Sequence, residues 1–156
     1  MKSRGLMPRK PIHTVLLVDD HELVRDALRM YLERKRYKVI EAAGGEEAVL
    51  VAERFPETIH VLVTDLVMAK MNGRELARWL LAQRPQLQVV IISGFPDEAM
   101  GQRELPPQIP FLQKPFPPDR LVAAIEDVLA NPRSGQTVAS LSLQIPNPER
   151  VRNPGV

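Results

Sequence analysis

The chain has 156 residues, 44% of them hydrophobic and 26% charged, which sets one domain with enough apolar residues for a core. It has no cysteine, which excludes disulfides and thiol chemistry, and no apolar run of about 18 residues, which excludes a membrane-spanning helix. The formal net charge is +2, but residues 1–11 carry four bases and no acid and 131–156 are net +2, leaving 12–130 at −4; the pI of 9.1 therefore belongs to the ends and argues for no nucleic-acid partner.

In chain order, 1–11 is a basic extension without the apolar centre of a signal peptide, which fits a cytoplasmic protein. Residues 12–18 are a candidate strand that runs into Asp19 and Asp20. Residues 20–35 read as a helix, with Val24, Ala27, Leu28, Tyr31 and Leu32 on one buried stripe. Asp20 is placed to cap that helix. Leu23 and Met30 fall off the stripe and stand as a docking surface for a kinase or phosphotransfer helix, or as stray surface apolars. The run Arg34-Lys35-Arg36 reads as a solvated helix end.

A strand at 38–42 and a helix at 45–54 follow. A strand at 60–64 then delivers Asp65, and 66–72 make a loop whose Asn72-Gly73 turns into a helix over 73–84 carrying Leu76 and Leu80. The strand 88–92 ends at Ser93-Gly94. A helix near 96–104 is confined to about two turns by Gly101 and Pro106-Pro107. The strand 109–112 runs to Lys114-Pro115, and Leu121, Ala124, Ile125, Val128 and Leu129 mark a helix over 118–130. Residues 131–156, with four prolines, read as a tail or linker; alternating Ala139, Leu141, Leu143 and Ile145 leave an added edge strand as the other reading.

Strict alternation of strand and helix predicts a parallel sheet covered on both faces, with right-handed crossovers. Ligands bind such sheets beyond the carboxyl ends of the strands, which brings Asp19, Asp20, Asp65, Ser93 and Lys114 into one crevice. Adjacent carboxylates repel unless a cation joins them, and a hard ion such as Mg2+ suits oxygen ligands. A carboxylate beside such an ion can attack phosphorus, a serine hydroxyl can donate to a phosphoryl oxygen, and a lysine can neutralise its charge. Each signal alone has a plainer reading: a helix cap and solvated acid, a structural loop aspartate, a Ser-Gly turn, a solvated lysine. Their order, one per strand end, is what carries the inference.

The stretches Val15-Leu16-Leu17-Val18-Asp19-Asp20-His21, Val63-Thr64-Asp65-Leu66-Val67-Met68, Asn72-Gly73, Ile91-Ile92-Ser93-Gly94 and Phe111-Leu112-Gln113-Lys114-Pro115-Phe116 resemble the receiver domain of two-component response regulators over 12–130. The Ser93-Gly94-Phe95 and Phe111–Phe116 wording is similar to receivers joined to hybrid sensor kinases, and the wording of 19–25 to transcriptional regulators. The resemblance implies a flavodoxin-like doubly wound (βα)5 three-layer sandwich whose five-stranded parallel sheet has the order 2-1-3-4-5. It implies Asp65 as phosphoacceptor, and Mg2+ held by Asp20, Asp19, Asp65 and the backbone carbonyl of Val67. It further implies Ser93 and Lys114 on the phosphoryl group, Phe111 as the aromatic that follows Ser93, and a cis Lys114-Pro115 bond. The family usually has proline after the Met68 position and often tyrosine at the Phe111 position; here these are Ala69 and Phe111, and a simply buried Phe111 is the competing reading.

The function expected is a phosphoacceptor module rather than an enzyme, loaded by a histidine kinase or histidine phosphotransfer protein and switching a partner-binding face. That face is the 96–104 helix, the 109–112 strand and the 118–130 helix; pairing with a second copy is expected there or through the helices at 20–35 and 118–130. Val67 and Phe95 flank the phosphoryl site, and being apolar they orient no attacking water, so a long phosphoryl lifetime is expected. A phosphatase is disfavoured, because Val67 stands where a second carboxylate would serve as general acid. The alternative is a receiver-like interaction module that does not switch.

Overall fold

The computed structural model describes residues 12–94 and 108–132. These form β1 Thr14–Val18, α1 Glu22–Arg34, β2 Lys38–Ala42, α2 Gly45–Arg54, β3 Val61–Asp65, α3 Gly73–Gln83, β4 Gln88–Ser93, β5 Phe111–Gln113 and α4 Pro118–Ala130. The strands make one parallel sheet in the order β2-β1-β3-β4-β5, the doubly wound flavodoxin-like arrangement that the alternation and the resemblance led to. The helix expected at 96–104, Phe95 and the termini lie outside the described residues.

The central strands β1, β3 and β4 are buried at every position, and mostly apolar, because both of their faces are covered. Leu16, Val18, Leu62, Val89 and Ile91 face α2 and α3, meeting Ala48, Ala52, Leu76, Ala77, Leu80 and Leu81. Val15, Leu17, Val61, Val63, Val90 and Ile92 face the other way, onto Leu28 and Leu32 of α1 and Leu121, Val122, Ile125 and Val128 of α4. Period-two side chains on the strands thus build two cores on either side of one sheet.

Four local expectations change. Ala27 is exposed, since the buried line of α1 runs through Leu28 and Leu32 with Val24 and Tyr31 at its margin. Asp20 does not cap α1; the N-cap is His21, without a side-chain capping bond. Asp65 and Ser93 are the last residues of β3 and β4 rather than the first beyond them, because they still pair with Ile92 and Gln113. Strand β5 starts at Phe111, two residues later than the apolar run, where pairing with Ile91 begins.

Candidate functional site

The carboxyl ends of β1, β3, β4 and β5 converge because all four strands are parallel and neighbours. Asp19 follows β1 and is fully buried; its backbone N–H donates to Ala42 at the end of β2 (3.3 Å). Asp20 is exposed beside it, and Asp65 at the end of β3 is 4% exposed. Lys114, just past β5, reaches across the edge: its Nζ lies 2.7 Å from Asp19 Oδ2 and 3.2 Å from Asp65 Oδ2. Its backbone N–H donates to the Ser93 carbonyl (2.7 Å), which ties the lysine to the serine's strand, and the Lys114-Pro115 bond is cis. Ser93 is buried at this edge. Val67 is exposed and lines a cleft of about 220 Å3 with His21, Val24, Asp65, Gly94 and Lys114. Phe111 packs half-buried against the core beside α2 and α3.

The electrostatics follow from one ammonium shared by crowded carboxylates. Burial pushes the Asp65 carboxyl above its usual range; Lys114 opposes this, and the charges of Asp19 and Asp20 reinforce it. Burial pulls the Lys114 ammonium down, but the hydrogen bond to Asp19 and the charges of Asp65 and Asp19 outweigh it, and its pKa ends above the ordinary value. Asp19, Asp20, His21 and Asp65 each offer one ligand atom, all within 4.8 Å of one another. Three carboxylates around one point are the donor set a hard divalent cation takes, so these residues fit Mg2+.

Arg25 was not singled out in the sequence, and Asn72 and Gly73 were read there only as a turn. Arg25 donates from Nη1 to the Asp19 carbonyl (2.7 Å) while its Nε pairs with Glu41 (3.4 Å), so α1 and β2 together fix the turn that carries the Asp pair. Asn72 is more than a turn residue: its side chain accepts from the Glu75 N–H (2.8 Å) and caps α3. Gly73 is needed for close approach, since a Cβ there would overlap the Asp65 carbonyl oxygen. The period of α1 could have flagged Arg25 as facing β2; nothing local to Asn72-Gly73 announces contact with Asp65.

The pattern of the response regulator receiver domain matches residues 15–126. The sensor kinase CckA of Brucella abortus is 35% identical over 118 residues, 74% of this chain and 12% of that protein. The transcriptional regulatory protein GlrR of Escherichia coli is 31% identical over 126 residues, 79% of this chain and 27% of that protein. The chain thus spans only a small part of these relatives. Among solved structures, the receiver domain from the hybrid histidine kinase CckA aligns with a TM-score of 0.63 at 29% identity, covering 74% of this chain and 98% of that one. A response regulator receiver protein from Pseudomonas putida aligns with a TM-score of 0.65 at 28% identity, covering 76% and 99%.

Proposed function

The chain belongs to the response regulator receiver domain family, and from that premise we propose that Asp65 accepts a phosphoryl group from a phosphohistidine on a histidine kinase or phosphotransfer protein. The observation that carries this is the Asp65 carboxylate at a parallel strand end, 3.2 Å from Lys114 Nζ and grouped with Asp19 and Asp20. One Asp65 oxygen attacks phosphorus; the P–N bond to the donor breaks as the P–O bond forms, and the electron pair leaves with the imidazole nitrogen. Asp19, Asp20, Asp65 and the Val67 carbonyl would hold Mg2+, which would supply positive charge to the transferring group when bound. Lys114 adds a second positive charge, and the strand ends hold the acceptor oriented. Its raised pKa keeps Lys114 charged at neutral pH.

Transfer breaks the balance at the edge, since Lys114 now has a phosphoryl oxygen to bond besides Asp19. Ser93 donates to another phosphoryl oxygen, and Phe111, in register two residues before the Ser93 partner Gln113, repacks with it. The readout is partner binding at β5, α4 and the 96–104 segment, with 12–130 as the switching unit, 1–11 a basic extension and 131–156 a tail or linker. Incubation with a labelled small phosphodonor and Mg2+ should label the wild type and leave Asp65→Asn unlabelled. Equal labelling of that variant would remove Asp65 as acceptor.

A further inference from the structure

His21 lies at this edge, and phosphoryl transfer as described leaves it idle. Its backbone N–H donates to Asp19 Oδ1 (2.9 Å), and it stands as the extended N-cap of α1 (φ −88°, ψ 103°). That anchor turns the ring over the carboxylate pair: Nδ1 is 3.3 Å from Asp19 Oδ1 and 3.1 Å from Asp20 Oδ1. The ring also lines the cleft shared by Asp65 and Lys114. Lys114 takes Oδ2 of Asp19, so the oxygen beside His21 is the one the lysine leaves open. Ligand atoms on opposite sides of an ion stand about 4.0–4.4 Å apart at bond lengths of 2.0–2.2 Å. The 4.8 Å spread of the four donors closes onto one ion with small side-chain shifts.

We propose that His21 ligates the bound divalent ion through Nδ1 alongside the carboxylates, making a mixed nitrogen–oxygen site that favours a later first-row ion such as Co2+, Ni2+ or Zn2+ over Mg2+. The inference rests on the reading of the aspartates as a metal site. Mg2+ prefers oxygen donors and gives up its waters reluctantly. Imidazole suits the later ions, and it adds a donor without adding negative charge. The same backbone could hold an all-oxygen site with any residue at 21; the ring placement is what changes the selectivity.

The test is competition between Co2+ and Mg2+ on the full chain, read by calorimetry and by the visible absorption of bound Co2+. Only Co2+ that Mg2+ displaces is counted, which leaves out the His13–His60 ring pair at the other end of the sheet. The His21 side chain is 67% exposed and makes no capping bond, so His21→Ala keeps the fold. Its preference for Co2+ over Mg2+ should fall by about tenfold or more, because the lost nitrogen donor weakens Co2+ more than Mg2+. The Co2+ bands should move to those of an all-oxygen site. An unchanged preference and unchanged bands in His21→Ala overturn the proposal and leave the carboxylate site standing. Asp20→Asn should weaken both ions; wild-type Mg2+ binding in that variant would bring down the carboxylate site and this inference together.

Discussion

The two edges of the same sheet handle polar groups in opposite ways. At the amino edge they satisfy one another. His60 Nδ1 accepts the Thr14 N–H (2.9 Å), the His60 N–H donates to the Thr14 carbonyl (2.9 Å), and the Gln88 N–H donates to His60 (3.0 Å). Arg84 donates to the carbonyls of Ala52 (3.0 Å), Phe55 (2.7 Å) and Glu57 (2.8 Å), closing the end of α2. At the carboxyl edge, Lys114 pairs with Asp19 and Asp65, and Asp20 crowds in beside those two carboxylates. One edge uses polarity to close backbone, which stabilises the fold. The other leaves negative charge in excess over Lys114, which costs stability and would be relieved further by a cation bound there.

That contrast can be broken most forcefully at Gly73. Gly73→Ala pushes a methyl into the Asp65 carbonyl, and with backbone on both sides it should cost about 1–3 kcal/mol. Urea unfolding measures it, and a variant as stable as the wild type would show that the β3–α3 approach is looser than the carboxyl-edge site requires.

The next effect has the opposite sign. Burial, the largest influence, holds the folded Asp65 pKa above the usual 3.8, so the ionised form is disfavoured by folding. The penalty is absent below pH 3.8 and develops as the pH rises through the raised folded value. Asp65→Asn should therefore melt at a higher temperature at neutral pH, with the gain vanishing in acid. Mg2+ at about 100 times its Kd should stabilise the wild type by about 2.7 kcal/mol and the variant much less. A lower melting temperature for Asp65→Asn at neutral pH would mean that Lys114 outweighs burial, and that this edge too is balanced.

The smallest effect belongs to the amino edge. Burial first, and then the facing His13, lower the His60 pKa below 6.5. The neutral ring is also the one whose Nδ1 can accept from Thr14. This contribution is complete above pH 6.5 and is lost as the pH falls from there through the lower folded value. His60→Asn, which keeps an acceptor for Thr14, should flatten the acid loss of stability in a melting series. An unchanged pH slope would assign that loss to other groups.

Much of this protein was legible in one dimension because it depends on local patterns. Apolar runs alternating with amphipathic segments specified strands and helices, and both sides of the sheet followed from short runs rich in Val, Ile and Leu. The run ends pointed to Asp19, Asp20, Asp65, Ser93 and Lys114, and the structure brings all five to one edge. Ala27 was misplaced because helical period locates a stripe but not its margin. Asp20 was misplaced as a cap because an acid before a helix has the same local pattern whether it faces the helix or the site.

The sequence by itself determined the alternation of elements, the parallel sheet and the residue types at its carboxyl edge, since these depend on neighbours a few positions apart. Only the tertiary structure decided that Lys114 meets Asp19, 95 residues away, at 2.7 Å and more closely than Asp65. It also decided that Gly73 must stay bare beneath Asp65, and that the His21 ring lies over the aspartate pair. Those pairings depend on strand register and on how the crossovers pack, which no local period encodes.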